Sequence, residues 1–440
     1  MNVQSELDQL IERDQRVVLI LDDDPTGSQT ASDVEIILDP STKNLSAFFA
    51  SDKKAVYVLT NTRAIPEEQA VSLIKKIVNQ SEEIAAKYGK KIAFIQRGDS
   101  TLRGHVFPEL DAMNKQEAIT LFVPAFPEGG RVTVGGIHYI EQAGKRIPVN
   151  STEFARDPVF HFRSRELKEW VDEVGNREGV LILLDELRKA GPQAVMKTLL
   201  ESPTGSVVIP DAETVEDIQA IVAGTLLAEE QGLQVNIRSA ATFASIRCGL
   251  KAKKLSPSPD QAFQKVLVVC GSHTELSSVQ LANLEKEIHS TIIVSTEDAI
   301  RGSREIIDRY VTMCQDRFQQ TKVIALATER KRLPKYHDLS SAEKIMDTMI
   351  SIVRELTDEF DGLVVKGGIT SAEMARKSLG VESAYVLGQI EAGVSLWELS
   401  RKGRQIPYVV VPGNIGDAFT LTRAVYFIGN HSVKAPTDTF

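Results

Sequence analysis

Short apolar runs recur along the chain, with longer segments of helical periodicity between them. In the first half they lie at Val17–Asp22, Ala55–Thr60, Lys91–Arg97, Thr120–Ala125, Gly179–Leu184 and Ser206–Asp211. In the second half they lie at Lys265–Cys270, Thr291–Ser295, Lys322–Thr328, Gly362–Lys366 and Tyr408–Pro412. Near-continuous apolar strands that alternate with helices are typical of parallel sheets covered on both faces. The pattern therefore predicts an α/β fold in both halves.

One segment interrupts this alternation. Residues 251–261 (KAKKLSPSPDQ) are first basic and then rich in serine and proline, a composition typical of a linker. The length of 440 residues also suits two domains better than one. We therefore expect two α/β domains with mainly parallel sheets, covering residues 1–250 and 262–440 and facing each other across a central cleft.

Composition and charge narrow the class of protein. Hydrophobic residues make up 42% of the chain and charged residues 25%, the profile of a globular protein. A net charge of −9 argues against a general nucleic-acid binder. No apolar run approaches the roughly 18 residues of a membrane span, and the charged N-terminus lacks a secretory core. We expect a cytoplasmic enzyme that acts on a small molecule, with no nucleic-acid or membrane partner. A homodimer is left open.

The predicted strands of the first half end in polar loops. Asp22–Asp24 follows the first strand, Asn61–Arg63 the second, and Arg97–Arg103 the third. Ligands of open α/β sheets bind beyond the carboxyl ends of the strands. Arginine binds a carboxylate bidentately and aspartate accepts hydrogen bonds from hydroxyls, so the three loops together favour a site for a polyhydroxy acid. Each loop alone is also compatible with ordinary turn or helix-start chemistry.

Glycines and hydroxyl residues follow the strands of the second half, in the loops Gly271–Glu275, Gly367–Glu373 and Pro412–Asp417. Ser272-x-x-Glu275 and Thr370-x-x-Glu373 match the capping-box pattern, which by itself predicts only a well-capped helix. A glycine pair before a helix leaves backbone N–H groups free to bind phosphate. Together the three loops resemble an adenine-nucleotide cradle.

Several nucleotide-binding motifs are absent from the sequence. It has no GxxxxGK(S/T) loop, no GxGxxG fingerprint after the first strand, and no HRD or DFG element. A P-loop enzyme, an ordinary Rossmann dehydrogenase and a protein kinase are therefore disfavoured.

The motifs, taken in order, resemble the four-carbon acid sugar kinase family, whose members phosphorylate acids such as threonate, erythronate and 3-oxo-tetronate with ATP. The resemblance runs from about Val17 to Tyr426. Its N-terminal elements are DD-x-TG at Asp23–Gly27, an unaltered DSTLRG at Asp99–Gly104, and further segments at Pro124–Arg131, Gly136, His138 and Thr152–Pro158. Its C-terminal elements are GS-x-S at Gly271–Thr274, GG-x-TS at Gly367–Ser371 and the last glycine loop at Gly413–Gly416.

Three positions depart from the family pattern. Arg97 replaces a usual lysine, Thr274 replaces the second serine of GS-x-S, and Val411-Pro412 stands where a Lys-Ser often precedes the last glycine. The first two keep the charge or the hydroxyl. The third removes a phosphate or substrate contact, so the substrate need not be the usual tetronate.

The resemblance implies a kinase that uses ATP and Mg²⁺ to phosphorylate a hydroxyl of a small sugar acid. Asp24 and Asp99 are the implied catalytic residues, with Asp24 preferred as the base. Substrate binding is implied for Asp23, Thr26, Gly27, Asn61, Arg63, Arg97, Ser100 and Arg103. ATP binding is implied for Ser272, Thr274, Gly367, Gly368, Ile369, Thr370 and Gly413. No residue is assigned to the metal.

Two other functions stay open from the sequence. An NAD-dependent oxidoreductase could act on the same hydroxy acids, although the missing glycine fingerprint argues against it. A non-catalytic sensor of sugar acids and ATP is the other, and the departure at Val411-Pro412 is the feature that favours it.

Overall fold

The computed structural model describes residues 3–24, 27–113, 118–142, 144–257, 265–330, 336 and 339–429. The chain divides into two compact units, unit 1 (Met1–Lys251) and unit 2 (Ala252–Phe440). Each unit has an α/β fold built on a mainly parallel sheet, which confirms the predicted fold class. None of the described helices is long and apolar enough to cross a bilayer.

Unit 1 alternates strands and helices over most of its length. Its strands are β1 (Val17–Asp22), β2 (Val34–Ile37), β3 (Ala55–Leu59), β4 (Ile92–Arg97), β5 (Ile119–Val123), β6 (Arg131–Val134), β7 (Ile137–Gln142), β8 (Lys145–Pro148), β9 (Gly179–Ile182), β10 (Val207–Pro210) and β11 (Val235–Ser239). Its helices are α1 (Val3–Arg13), α2 (Thr42–Ala50), α3 (Glu67–Lys87), α4 (Val106–Ala112), α5 (Leu167–Gly175), α6 (Leu184–Ala190), α7 (Pro192–Glu201), α8 (Val215–Glu230) and α9 (Ala241–Arg247).

The main sheet of unit 1 has the strand order β2-β3-β1-β4-β11-β5-β10-β9, and all its paired strands are parallel. The chain runs from β1 to β2 and β3 on one side, then crosses to β4 on the other side. The gap between β1 and β4 is therefore a topological switch point, where ligands bind in open α/β sheets. A separate antiparallel sheet, β6-β7-β8, was not predicted from the sequence.

Unit 2 begins in the same alternating way and ends in a meander. Its strands are β12 (Val266–Cys270), β13 (Thr291–Val294), β14 (Val323–Thr328), β15 (Gly362–Lys366), β16 (Ser383–Glu391), β17 (Val394–Arg401) and β18 (Arg404–Val411). Its helices are α10 (Glu275–Ile288), α11 (Thr296–Arg301), α12 (Arg304–Phe318), α13 (Leu339–Glu355), α14 (Gly368–Glu373) and α15 (Thr420–Gly429).

The sheet of unit 2 has the order β13-β14-β12-β15-β18-β17-β16. It is parallel from β13 to β18, and β17 and β16 are added antiparallel. Val268, Val364 and Val409 of the parallel strands pack with Leu284 of α10 and Val425 of α15 in one buried cluster. The chain leaves β12 towards β13 and β14, then returns to β15 on the other side. The second switch point therefore lies between β12 and β15.

Candidate active site

The polar loops of unit 1 meet at one edge of its sheet. Asp22, the last residue of β1, is in register with Arg97, the last residue of β4. Arg97 is in turn in register with Ser239, the last residue of β11. Because these strands are parallel, the loops that follow them leave the sheet at the same edge, at the switch point between β1 and β4.

Asp99 is the centre of an ion-pair cluster in the loop after β4. Arg103 Nε lies 2.7 Å from Asp99 Oδ2, and Arg63 Nη1 lies 3.3 Å from Asp99 Oδ1. The Thr101 hydroxyl also donates to Asp99, and Arg63 pairs closely with Asp24. Burial favours the neutral acid, but the two arginines outweigh it and hold the pKa of Asp99 far below its ordinary value. Asp99 is therefore an ionised, firmly held carboxylate.

Arg103 is fixed by a second segment of the chain. Its guanidinium lies 4.9 Å from the centre of the Phe154 ring, and its Nη1 lies 3.8 Å from Asp157 Oδ2. Both partners belong to Thr152–Pro158, one of the segments that resemble the family. That segment therefore orients Arg103 within the site.

Arg97 pairs with the carboxylates at the end of β1. Its Nη1 lies 3.0 Å from Asp22 Oδ1, 4.0 Å from Asp23 Oδ1 and 3.3 Å from the Asp24 carbonyl oxygen. Burial raises the pKa of Asp22 to about 7, and the nearby Arg97 opposes this rise. The sequence analysis expected Arg97 to contact the substrate, and the structure places it against the protein's own carboxylates.

Some buried oxygen atoms at this edge have no hydrogen-bond partner among the described residues. Besides Ser239 Oγ at the end of β11, they include the acceptors Asp23 Oδ1 and Asn61 Oδ1. Asn61 has a left-handed backbone, with φ of 50°, and precedes the short turn Thr62–Ala64 that carries Arg63. Buried acceptors are normally satisfied, so these two atoms fit a ligand that donates hydrogen bonds.

Arg238 is a site residue that the sequence analysis missed. It lies in β11, is only 3% exposed, and places Nη2 3.0 Å from Asp23 Oδ2 and Nη1 3.4 Å from Glu109 Oε2. A Cβ on Gly98 would overlap the Arg238 guanidinium, and one on Gly104 would lie 3.0 Å from its Nη2. The two glycines that flank Asp99–Arg103 therefore leave room for Arg238. The sequence feature that could have indicated this residue is the arginine within the short segment Val235–Ser239.

The antiparallel sheet of unit 1 supports the same loop through His138. The His138 ring is fully buried, with Nε2 2.8 Å from the Ser100 carbonyl oxygen and Nδ1 2.9 Å from Thr133 Oγ1. Burial lowers the pKa of His138 to about 4, so the ring is neutral at neutral pH. The carbonyl can only accept, so Nε2 donates to Ser100 and Nδ1 accepts from Thr133.

The remaining substrate-side residues lie in the acidic loop. Thr26 falls outside the described residues. Gly27 opens a short 3₁₀ turn, and a Cβ there would overlap the Asp22 carboxylate. Its lack of a side chain is therefore explained by packing against Asp22.

In unit 2, the loops after β12 and β18 are joined by hydroxyl groups. Thr274 Oγ1 donates to the Gly413 carbonyl at 2.8 Å, and Ser277 Oγ donates to Ser272 Oγ at 2.8 Å. A Cβ on Gly413 would lie 2.7 Å from Ser272 Oγ. Ser272, Thr274 and Gly413 are therefore held together beside the second switch point.

The loop after β15 joins this group through Gly367. Gly367 has φ of 115°, and a Cβ there would lie 3.1 Å from both Ser272 Cβ and Thr370 Oγ1. Gly368 begins α14, Ile369 is 42% exposed and Thr370 is buried. The structure thus brings together the residues expected to bind ATP, at the ends of β12, β15 and β18.

Both capping boxes predicted in unit 2 are wrong. Helix α10 begins at Glu275, and its N-cap is Thr274, whose hydroxyl accepts from Ser277 N. Helix α14 begins at Gly368, and its N-cap Gly367 has no side chain to cap it. The first pattern failed because Thr274, which directly precedes the helix, is the N-cap of α10 in place of Ser272. The second failed because α14 begins at Gly368, before Thr370.

No cluster of three or more His, Cys, Asp or Glu side chains in the described part of the chain is arranged to hold a metal ion. Asp22 at the end of β1, and Asp23 and Asp24 after it, are each paired with an arginine.

Comparison with known proteins identifies both units. A family model of a sugar-binding N-terminal domain matches residues 18–247, and one of a nucleotide-binding C-terminal domain matches residues 267–421. A D-erythronate kinase from Heliobacterium modesticaldum is 28% identical over 391 residues, which cover 80% of this chain and 83% of the relative. A D-threonate kinase from Salmonella typhimurium is 22% identical over 441 residues, covering 94% and 98%.

Solved structures share the fold. A Haemophilus influenzae protein superposes with a TM-score of 0.64 at 16% identity, covering 93% of this chain and 100% of its own. A Salmonella typhimurium protein superposes with a TM-score of 0.67 at 16% identity, covering 92% and 98%. At this level of identity the likeness establishes the fold alone.

One unit matches a sugar-binding domain and the other a nucleotide-binding domain, and the relatives of the whole chain are kinases, so the class of protein is a small-molecule kinase. The chain belongs to the four-carbon acid sugar kinase family and is a sugar-acid kinase that uses ATP. Its substrate is accordingly a small molecule. These comparisons support neither the oxidoreductase nor the sensor.

Proposed function

We propose that this enzyme transfers the γ-phosphate of ATP to a hydroxyl of a four-carbon sugar acid. In this proposal the domain predicted at residues 1–250 binds the acid, and the domain predicted at 262–440 binds ATP. The observation that carries the proposal is the Asp99–Arg103–Arg63 cluster at the switch point of unit 1. The names of the relatives, D-erythronate and D-threonate kinases, support the substrate class.

The acid suits the groups gathered in unit 1. The side chains of Arg63 and Arg103 are 15% and 23% exposed, so both are partly accessible to a ligand. Arginine is the side chain best suited to a carboxylate, because two parallel N–H groups match its two oxygens. The buried oxygens of Asp23 and Asn61 that lack a hydrogen bond are suited to sugar hydroxyls.

We assign the two proposed catalytic aspartates different roles. A general base works best when its pKa lies near the working pH. Asp99 has a pKa far below its ordinary value and is therefore a weak base. We propose that Asp99 holds Arg103 and a substrate hydroxyl, and that Asp24, beside Arg63, accepts the hydroxyl proton.

ATP is assigned to the loops of unit 2. Backbone amides around Gly367, Gly368 and Gly413 would face the phosphates, with the hydroxyls of Ser272, Thr274 and Thr370 beside them. The exposed Ile369 offers an apolar surface for the adenine ring of ATP. Mg²⁺ would enter bound to the ATP phosphates, where it would neutralise their charge. The described residues alone present no metal cluster.

Phosphoryl transfer depends mainly on positioning and charge neutralisation. The proposal therefore includes closure of the two domains on their ligands, so that the γ-phosphate lies in line with the hydroxyl.

The direct test is ADP release from ATP, measured by a coupled assay over a panel of sugar acids. The panel contains the D and L forms of erythronate and threonate, a 3-oxo-tetronate, and five-carbon acids as size controls. We expect turnover above the acid-free rate with at least one four-carbon acid. Turnover restricted to larger acids would contradict the substrate class. Reduction of NAD⁺ in place of ADP release would contradict the reaction.

A further inference from the structure

The chain carries a fully buried lysine at the centre of the proposed nucleotide site. Lys366 ends β15, which lies between β12 and β18, and is 0% exposed. In register it lies opposite Cys270 of β12 and Val411 of β18. The loops proposed to bind ATP follow these three strand ends.

The ammonium group of Lys366 is poorly compensated. Its Nζ donates to the Pro412 carbonyl oxygen at 2.5 Å, and among the described residues no carboxylate forms an ion pair with it. An ammonium group can donate three hydrogen bonds, and burying it without a counter-ion is unfavourable. Burial accordingly lowers the pKa of Lys366 to about 8, and Cys270 and Glu391 oppose this fall only in part.

The titratable groups beside Lys366 have other partners. Glu391 of β16 pairs with Arg423 of α15 at 2.8 Å. Cys270 Sγ lies 3.8 Å from Arg330 Nη1. Neither group forms an ion pair with Lys366. The ammonium group instead contacts the loop after β18, through its hydrogen bond to the Pro412 carbonyl.

That loop is the one that contains Gly413. A trans peptide is planar, with its C=O and N–H groups pointing in opposite directions. A donor on the Pro412 carbonyl therefore fixes the direction of the Gly413 N–H. The Gly413 carbonyl is fixed in turn by the Thr274 hydroxyl, which donates to it at 2.8 Å. Hydrogen bonds in series polarise one another in a buried setting.

We propose that Lys366 is a positioning residue of the nucleotide site. Its buried ammonium fixes and polarises the Pro412–Gly413 peptide and provides positive charge for a nucleotide phosphate held at Gly413. This inference rests on the proposed binding of ATP to unit 2. It implies that nucleotide binding draws a proton onto Lys366, because a bound anion stabilises the charged form of the lysine.

The test is calorimetric titration of the full chain with ADP, whose phosphates are fully ionised above about pH 8. Titrations in two buffers of different ionisation heat count the protons taken up. We expect about half a proton at pH 8 for the wild type, since a group titrating near that pH is half charged. ADP affinity should fall about sevenfold between pH 7 and pH 9.5 if binding raises the pKa of Lys366 from about 8 to about 9.

Three variants test what the charge of Lys366 and its hydrogen bond each contribute to ADP binding. Lys366→Met should lose the proton uptake and bind ADP about tenfold more weakly at pH 7, yet melt at the same temperature or higher. Lys366→Gln keeps a donor without the charge and should also lose the uptake. The control Lys322→Met replaces an exposed lysine just before β14 and should match the wild type.

The outcomes distinguish the two proposals. If the wild type does not bind ADP, both the proposed function and this inference fail. If it binds ADP without proton uptake and with constant affinity from pH 7 to 9.5, the inference alone fails, whether or not the variants fold. Unchanged ADP affinity and uptake in a folded Lys366→Met protein would overturn it as well.

Discussion

Arg238 Nη2 lies 3.0 Å from Asp23 Oδ2, so the arginine of β11 holds the carboxylate that follows β1. The two strands are not neighbours in the sheet, because β4 lies between them. Both side chains are almost fully buried, at 3% and 2% exposure. Asp23 therefore keeps its orientation, and its other oxygen is left without a hydrogen bond inside the described structure.

Replacing this arginine should affect both stability and the acid site. Arg238→Met leaves Asp23 and Glu109 buried without their cation, and breaking a buried pair in this way is strongly destabilising. We expect the free energy of unfolding to fall by about 3 kcal/mol, sugar-acid affinity to fall, and ADP affinity to stay unchanged. Urea unfolding and calorimetry measure these quantities.

The matched control is Arg13→Met. Arg13 pairs with Glu230 at 3.2 Å, but both side chains are about half exposed. We expect no measurable change in stability, because exposed pairs contribute little. If both variants behaved alike, Arg238 would have no special part in holding Asp23.

Buried strands that form continuous apolar runs could be predicted from the sequence. Every residue of β1 is buried, so Val17–Asp22 reads as an unbroken apolar run and its bounds were predicted correctly. β15 was recovered at Gly362–Lys366 for the same reason. The rule that ligands bind beyond parallel strand ends then directed attention to the loops at Asp99 and Gly367.

Features set by tertiary contacts could not be predicted in this way. β11 contains the buried polar residues Asn236 and Arg238, so its run is too short and too polar to read as a strand. β16 has alternating burial, so its sequence shows no continuous apolar run and was not predicted as a strand. The contact between Arg238 and Asp23 joins residues far apart in sequence, and no local pattern encodes it.

The neutral His138 should produce a pH-dependent loss of stability. Its pKa is about 4 in the fold and near 6.5 in an unfolded chain. Below pH 6.5 the unfolded chain therefore binds more protons, and stability falls as the pH drops towards 4. The full loss is about 3 kcal/mol. In urea unfolding between pH 7 and 4, His138→Gln should lack this component. His161→Gln, which replaces an exposed histidine, should keep it.

Asp99→Asn should abolish phosphorylation of any cognate acid and leave ADP binding near normal. The substitution removes the charge that holds Arg103 at 2.7 Å and Arg63 at 3.3 Å. Arg103 would then lose the orientation required for the acid's carboxylate, whereas Arg63 would keep its pair with Asp24. Calorimetry with acid and with ADP on the same sample measures both effects. A variant that kept acid affinity and lost ADP affinity would contradict the assignment of ligands to the two domains.

Asp24→Asn should lower kcat far more than it weakens acid binding. An amide cannot accept the hydroxyl proton as a base, and general-base catalysis is typically worth about 10²–10⁴-fold in rate. The Asn side chain keeps nearly the same shape, so we expect the KM for the acid to change by less than about fivefold. Steady-state kinetics over several pH values provide both constants. A rise in KM with kcat unchanged would assign Asp24 to binding alone.

Gly368→Val should destroy nucleotide binding without unfolding the protein. Gly368 is the first residue of α14 and is not among the residues with a positive φ, so a valine there meets little backbone strain. If phosphate approaches the amide at this position, the branched side chain would occupy its place. We expect ADP affinity to fall by more than about a hundredfold, roughly 3 kcal/mol, as measured by calorimetry. Gly367→Ala gives the contrast, because a φ of 115° strains any side chain and should lower stability by about 1–3 kcal/mol. A folded Gly368→Val protein with normal ADP affinity would place the nucleotide elsewhere.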